Sequence, residues 1–325
     1  MDHSGLLSRR QAVIAALGAA LVPVAAQAQS SSSGPIKFIV GQPPGSGSDT
    51  IVRRLADQLT TILGQPIIVE NKPGAGGNIA THTVAKSPGD GQTLLFSTSN
   101  NLTGNFFLYS RLGFRFEDFA PIAPIAQTGF ALAVQPSGPK DVAEFRALIR
   151  DKQTKAKYGA PTSSSLAAAE LCLSLMGATA TRVPYKSGPQ ALSDLIGGEI
   201  DFMFIDALTG IGQAKQGRIK LLGVTTKERL ALAPDLPSLD DAGLKGYDLG
   251  AWFGVFAPAA TPKDAQARLS KAITEAVGKK EMRDFLTGTG NEPLTGGPDQ
   301  LMTLVKAHTD LFRDLSTTGK IKPED

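Results

Sequence analysis

Three histidines and one cysteine are all the imidazoles and thiols this 325-residue chain has for proton transfer, nucleophilic attack or soft metals. His82 and His308 lie far apart, and neither has a serine or cysteine at a spacing that suggests a triad. No cluster of Cys, His, Asp or Glu has metal-ligand spacing, so no metal and no cofactor is expected. What recurs instead is small and neutral. Gly41-Gln42-Pro43-Pro44-Gly45-Ser46-Gly47-Ser48-Asp49 is a tight turn rich in backbone amides. Such amides, at the positive end of a helix dipole, attract an anion. Pro44, Gly45, Ser46, Gly47, Ser48 and Asp49 are therefore candidate ligand groups. The same device returns at Glu70-Asn71-Lys72-Pro73-Gly74-Ala75-Gly76-Gly77-Asn78, adding Gly74, Ala75, Gly76 and Asn78. A third polar end, Ser97-Thr98-Ser99-Asn100, adds Ser97, Thr98 and Ser99. Amides and hydroxyls with few charges suit a small anion held by neutral donors.

Strands must deliver these turns. Ile36 to Val40, Pro66 to Val69 and Thr93 to Phe96 are short apolar runs that read as buried strands. Helical spacing of Ile51, Val52, Leu55, Leu59, Ile62 and Leu63 follows the first turn, and Ile79 to Lys86 follows the second. Strand and helix alternate, which points to an α/β fold with parallel strands whose ligands bind at the strands' carboxyl ends. The pattern resumes later. Lys157 to Ala160 leads into Pro161-Thr162-Ser163-Ser164-Ser165, with a helix expected from Leu166 to Met176. Ser163, Ser164 and Ser165 are ligand candidates or a plain helix cap. Ile200 to Ile205 is a strong strand ending in Asp206, which either faces a cleft as a selectivity residue or caps the next helix.

Ala120 to Ala126, broken by prolines, and Tyr247 to Phe256, with the sole tryptophan at 252, read as two crossings between domains. Residues 34–126 plus 250–325 are then expected to form domain 1, and 127–249 domain 2. Trp252, on the return crossing, is expected to report closure by its fluorescence. Residues 1–28 read as a signal peptide cleaved after about Ala28, with 29–33 a flexible leader. Ser8-Arg9-Arg10 resembles a twin-arginine signal, and Sec export is the alternative. A periplasmic location follows. The lone Cys172 leaves no internal disulfide, and a formal net charge of +3 argues for no nucleic-acid partner.

Two nucleotide motifs bear on the first turn. Gly45 and Gly47 match two glycines of a dinucleotide fingerprint, Thr50 stands where the third belongs, and Glu70 could meet a ribose. That keeps open an exported nicotinamide oxidoreductase. A phosphate-binding P-loop fails, since no Gly-Lys-Ser/Thr follows.

The ordered set of motifs resembles the substrate-binding proteins of tripartite tricarboxylate transporters, the Bug family. Pro43 to Asp49 with Ile51-Val52-Arg53 is similar to the family's first loop, and Val69 to Asn78 to its second. Pro88-Gly89-Asp90-Gly91-Gln92, Val183-Pro184-Tyr185-Lys186, Leu195-Ile196-Gly197-Gly198, Asp235-Leu236-Pro237-Ser238 and Trp252-Phe253-Gly254 follow in the family's order. The resemblance implies a type II periplasmic-binding-protein fold, two α/β domains around a central cleft joined by two crossing segments. It implies a monomeric binding protein, not an enzyme, that captures a small carboxylate-bearing ligand. The ligand's carboxylate would lie between the first two loops, with second-domain help near the serines and Asp206. The membrane subunits of a tripartite tricarboxylate transporter would be its partners. Two departures bear on the pocket. Gly45-Ser46-Gly47 replaces a frequent Gly-Gly, and Pro161 to Leu166 replaces a glycine-rich loop followed by His.

Overall fold

A computed structural model describes residues 34–185 and 187–323. The expected signal peptide and leader, Lys186, and the last two residues lie outside the described residues. Gly34–Asp325 forms one compact unit.

Strand β1 (Ile36–Val40) is central among the early elements, with four of its five residues buried. It pairs in parallel with β2 (Ile67–Asn71) on one side and β3 (Thr93–Thr98) on the other. Helix α1 (Gly47–Leu63) buries Ile51, Val52, Leu55 and Leu59, the helical stripe written in the sequence. Ser46 caps its start by accepting the Asp49 N–H, and Gly64 ends it in the left-handed region. Helix α2 (Asn78–Ala85) follows β2, and the short helix α3 (Asn105–Leu108) follows β3.

The long strand β4 (Phe119–Val134) runs unbroken through Ala120 to Ala126, which the sequence reads as a proline-broken crossing. Proline has no N–H for a ladder. The chain accommodates Pro121 and Pro124 at register shifts against β9 (Gly250–Pro258), so pairing continues past each. Up to Gly129, β4 pairs with β9, and with the short β10 (Asn291–Pro293) over Ala126 to Thr128. From Phe130 onward it pairs with β7 (Phe202–Asp206) and β8 (Lys220–Val224). One strand therefore serves two halves, and it changes partners at Gly129–Phe130.

The second half repeats the parallel plan. Helix α4 (Val142–Lys152) is capped by Asp141, and strand β5 (Lys157–Ala160) pairs with β6 (Thr181–Pro184) and with β7, both in parallel. Helix α5 (Ser163–Met176) lies between β5 and β6, α6 (Gly188–Gly197) precedes β7, and α7 (Ala207–Lys215) follows it. The full strand order is β2-β1-β3-β9-β4-β7-β5-β6. The antiparallel pairs all involve β4 or β9, the strands that pass between halves.

Helices α8 (Lys263–Gly278) and α9 (Lys280–Gly288) complete the first core against α1, where Leu269, Ile273, Val277 and Met282 join Phe38, Leu55 and Phe96. Helix α10 (Pro298–Thr317) is shared. Leu301 and Val305 pack beside Trp252 and Phe256, while Phe312 and Leu315 pack in the second half's core with Tyr158, Cys172 and Phe204. The last helix thus spans both halves.

Candidate functional site

The first two loops meet backbone to backbone. A Cβ on Gly41 would lie 2.7 Å from the Cα of Gly77, so only glycine permits this approach. From Gly74 to Gly77 four consecutive residues have positive φ, including Ala75 at 46°. Ala75 pays a steric cost there, and neighbours hold the loop against it. The Asn101 side-chain amide donates to the Gly76 carbonyl at 2.7 Å, and that of Asn105 donates to the same carbonyl at 3.2 Å and to Asn78 Oδ1 at 2.6 Å.

Asp49 does the same for the first loop. Its carboxylate accepts from the Gly45 N–H at 2.9 Å, from Arg53 Nε at 3.0 Å and from Asn71 Nδ2 at 2.8 Å. Asn71 Nδ2 also donates to the Gln42 carbonyl, which ties β2's end to β1's end. The Arg53 guanidinium, with the Gly45 and Asn71 donors, holds the Asp49 carboxyl at about 2 although burial opposes this. Asp49 is 4 % exposed, so it braces the turn from beneath.

Above these loops lies a cavity of about 850 Å³, a size suited to a small organic ligand. Gly41, Gln42 and Pro43 line it from the first loop, and Pro73, Gly74, Gly76 and Gly77 from the second. Thr98, Asn100, Asn105, Leu108 and Tyr109 add the third wall. The second half contributes the β5–α5 turn (Ala160 to Ser163), Leu166, and the end of β6 with Arg182, Pro184 and Tyr185. Carboxyl ends of five strands therefore surround it, as expected for an open α/β sheet.

Of the residues expected from sequence, Gly74, Gly76, Thr98 and Ser163 line this cavity. The others are placed beside or beneath it. Pro44, Gly45 and Gly47 are exposed, Ser46 caps α1, and Ser48 is buried. Ala75 carries the loop's strained backbone, and Asn78 receives the Asn105 amide. Ser97 donates to the Thr98 carbonyl, and Ser99 is buried. The serines 163–165 are not a loop, because α5 begins at Ser163 and Thr162 is its cap. Ser165 completes the capping box with Thr162, and Ser164 Oγ donates to Asn100 Oδ1 at 2.9 Å. Asp206 lies away from the cavity lining; its carboxylate caps α7, accepting from the Thr209 N–H at 3.0 Å and the Thr209 hydroxyl at 3.2 Å.

Sequence reasoning missed Gly41, Gln42, Asn100, Asn105, Tyr109, Arg182 and Tyr185 as lining residues. Asparagines just past a strand end were a readable signal, as were Arg182 and Tyr185 at the carboxyl end of a short strand. Leu108 and Leu166 carried no such signal. The Tyr185 hydroxyl donates to Asp194 at 2.8 Å, and burial with this bond pushes its pKa up to about 12.

Neither His, Cys, Asp nor Glu is among the described lining residues. Glu70, the ribose candidate, pairs with Lys37 at 3.0 Å. Among the described residues no group of His, Cys, Asp and Glu could hold a metal ion, and no helix is long and apolar enough to cross a membrane.

Comparison with known proteins agrees with this geometry. Residues 51–315 match the profile of the tripartite tricarboxylate transporter family receptor, TctC. The chain is 32% identical over 319 residues to a UPF0065 protein from the tcbD-tcbE intergenic region of Pseudomonas sp. (strain P51), covering 94% of this chain and 93% of that one. It is 31% identical over 275 residues to the protein BugT of Bordetella pertussis, covering 82% and 83%. Among solved structures it superposes on R. palustris Rpa4515 with adipate at a TM-score of 0.77 and 29% identity, covering 90% of this chain and 99% of that one. MatC from Rhodopseudomonas palustris with bound malate gives 0.72 and 28%, covering 87% and 98%. Profile, relatives, strand order and cavity agree: the chain belongs to the TctC (Bug) family of periplasmic solute-binding proteins and has their type II binding-protein fold.

Proposed function

We propose that this protein is an exported, monomeric receptor that captures a small carboxylate in the 850 Å³ cavity and presents it to the membrane subunits of a tripartite tricarboxylate transporter. The observation that carries this is the make-up of the first-half wall. Glycine backbone, Gln42 and Asn100 line the cavity there, and no acid is among the described lining residues. A carboxylate laid against neutral donors keeps its charge without a counter-ion, and each charge-assisted hydrogen bond there is worth roughly 1.5–3 kcal/mol. Relatives of the same fold solved with adipate and with malate support the ligand class.

Leu108, Leu166, Tyr109 and Tyr185 form an apolar middle. Leu166 falls in the stretch that differs from the family's glycine-rich loop and histidine, so a ligand with an apolar body fits this chain better than a densely hydroxylated one. Residues 34–126 plus 250–325 and 127–249 are proposed as the two domains that close around the ligand, with no catalysis. The test is a thermal-shift and calorimetric screen over aliphatic and aromatic acids, each beside its amide. Acids should raise the melting temperature and bind tenfold or more tightly than the amides. Equal binding of acid and amide, or tight binding of NADH instead, would remove this reading.

A further inference from the structure

We propose that Ser164 is a positioning residue: it holds the Asn100 amide so that N–H groups, not a carbonyl, meet the ligand, and it thereby makes the receptor select an acid over the matching amide. The inference rests on the carboxylate reading above and names a residue outside the lining that sets the wall's polarity. Asn100 stands in the turn after β3 and lines the cavity. Ser164 stands in the first turn of α5, in the second half, and is not among the described lining residues. Its hydroxyl donates to Asn100 Oδ1 at 2.9 Å.

The asparagines of this segment are used differently. Asn101 accepts the Thr98 N–H and hydroxyl and donates to the Gly76 carbonyl. Asn105 donates to Gly76 and to Asn78. Both amides are consumed in holding the loops. Asn100 has its oxygen engaged by Ser164, while its Nδ2 hydrogens bond to no described residue. A half-turn of an amide barely changes its shape, so its hydrogen-bond partners decide which end it presents. A serine hydroxyl can donate or accept, and alone it would tolerate either orientation. Helix α5 breaks the tie. In its first turn the positive end of the helix dipole favours the amide oxygen over the NH2 group. The cap of α5 is supplied by Thr162 and Ser165, which leaves the Ser164 hydroxyl for Asn100. Ser164 is 8 % exposed, so water competes little for this bond. The oriented NH2 is a donor only. A carboxylate answers it with either oxygen, whereas a ligand amide has one acceptor and brings an NH2 of its own into a wall of donors.

The test uses the purified protein and matched probes by calorimetry: hexanoate against hexanamide, benzoate against benzamide, and adipate against its monoamide. The wild-type protein should prefer the acid by tenfold or more in at least one pair. In Ser164→Ala the Asn100 amide is free to turn, and that ratio should fall below about threefold. Ser164→Thr, which keeps the hydroxyl, should restore it. Asn100→Asp, nearly the same size, should bring the ratio to one or below, because its second oxygen replaces the donor. A Ser164→Ala protein that loses affinity for acid and amide equally, with the ratio kept, overturns the inference and leaves the carboxylate reading intact, since Ser164 would then only join the halves. A ratio preserved in Asn100→Asp also overturns it. If the wild-type protein binds acid and amide alike, or binds none of the probes, the carboxylate reading fails and the inference fails with it.

Discussion

Gly41 lines the cavity and Asp49 braces the turn beneath it, and both hold the first loop in shape. A methyl on Gly41 would collide with the Gly77 backbone, and backbone cannot rotate away as a side chain can. Gly41→Ala should therefore spread the two loops and weaken ligand binding by more than tenfold in calorimetry, with a melting temperature lowered by only a few degrees. Asp49 works through charge. Its folded pKa is about 2 against roughly 3.9 in an unfolded chain. A depressed carboxyl stabilises the fold fully above about pH 4, and that share is lost as pH falls toward 2. Because Arg53 is half exposed, water screens the pair, and the share is on the order of 1–2 kcal/mol. Urea unfolding of Asp49→Asn should show a flatter acid limb between about pH 4 and 2; an unchanged slope would mean that the clamp does not contribute. Asp206 tells the opposite story. Its strand-end position suggested a selectivity role or a helix cap, and one of its carboxylate oxygens accepts both the Thr209 N–H and the Thr209 hydroxyl. Asp206→Ala should cost about 1 kcal/mol and leave the ranking of ligands alone. Hydroxyls and acids at strand ends were legible from sequence. Which of them cap helices and which face the cavity was not, because both uses need the same residue types at the same places.

Helices and strands were legible wherever periodicity and caps agreed, as in α1 with Ser46 before it and Gly64 after it. The prolines of β4 misled, since a bulge can absorb a missing donor and sequence alone does not show where bulges fall. The packing of α10 on β9 was likewise invisible. His308, on α10, donates Nε2–H to the Gly250 carbonyl, and its ring lies 6.1 Å from that of Trp252. The other ring nitrogen is buried with no partner, so the imidazole is held neutral and its pKa falls to about 4 by burial. An unfolded histidine titrates near 6.5. Between these values the unfolded chain binds the extra proton, so stability should drop as pH falls from about 6.5 to 4, by up to about 3 kcal/mol. His308→Gln, whose amide can still donate to Gly250, should unfold with a flatter profile across that window. Equal profiles for the two proteins would show that other groups set the acid response. Trp252 is 1 % exposed within the first half's core, so its emission is a better reporter of His308 than of closure.

At the scale of the molecule, two strands link the halves where Gly129 faces Gly250. The Thr225 hydroxyl accepts the Phe130 N–H there, and the Leu249 N–H donates to the Thr225 carbonyl. Glycines at paired positions allow the backbone to bend at that line. Helix α10 opposes free bending, because Phe312 and Leu315 are anchored in the second core and Leu301 and Val305 pack against the first half's Trp252 and Phe256. Any closure must therefore be small in angle or slide these contacts. Across the cavity rim the Ser164 hydroxyl donates to Asn100 at 2.9 Å, joining the start of α5 to the turn after β3. A neutral hydrogen bond of this kind contributes about 0.5–1.5 kcal/mol. If it biases the halves toward the binding-competent arrangement, its loss lowers the competent fraction and the apparent affinity in proportion. Ser164→Ala is the clean probe, since alanine suits a helix's first turn and the cap belongs to Thr162 and Ser165. Affinity for the carboxylate found in the screen should fall by about twofold to tenfold. The free protein's radius of gyration in small-angle scattering should rise, and saturating ligand should restore it. A variant with unchanged affinity and an unchanged radius would show that the rim bond holds nothing that the paired strands and α10 do not already hold.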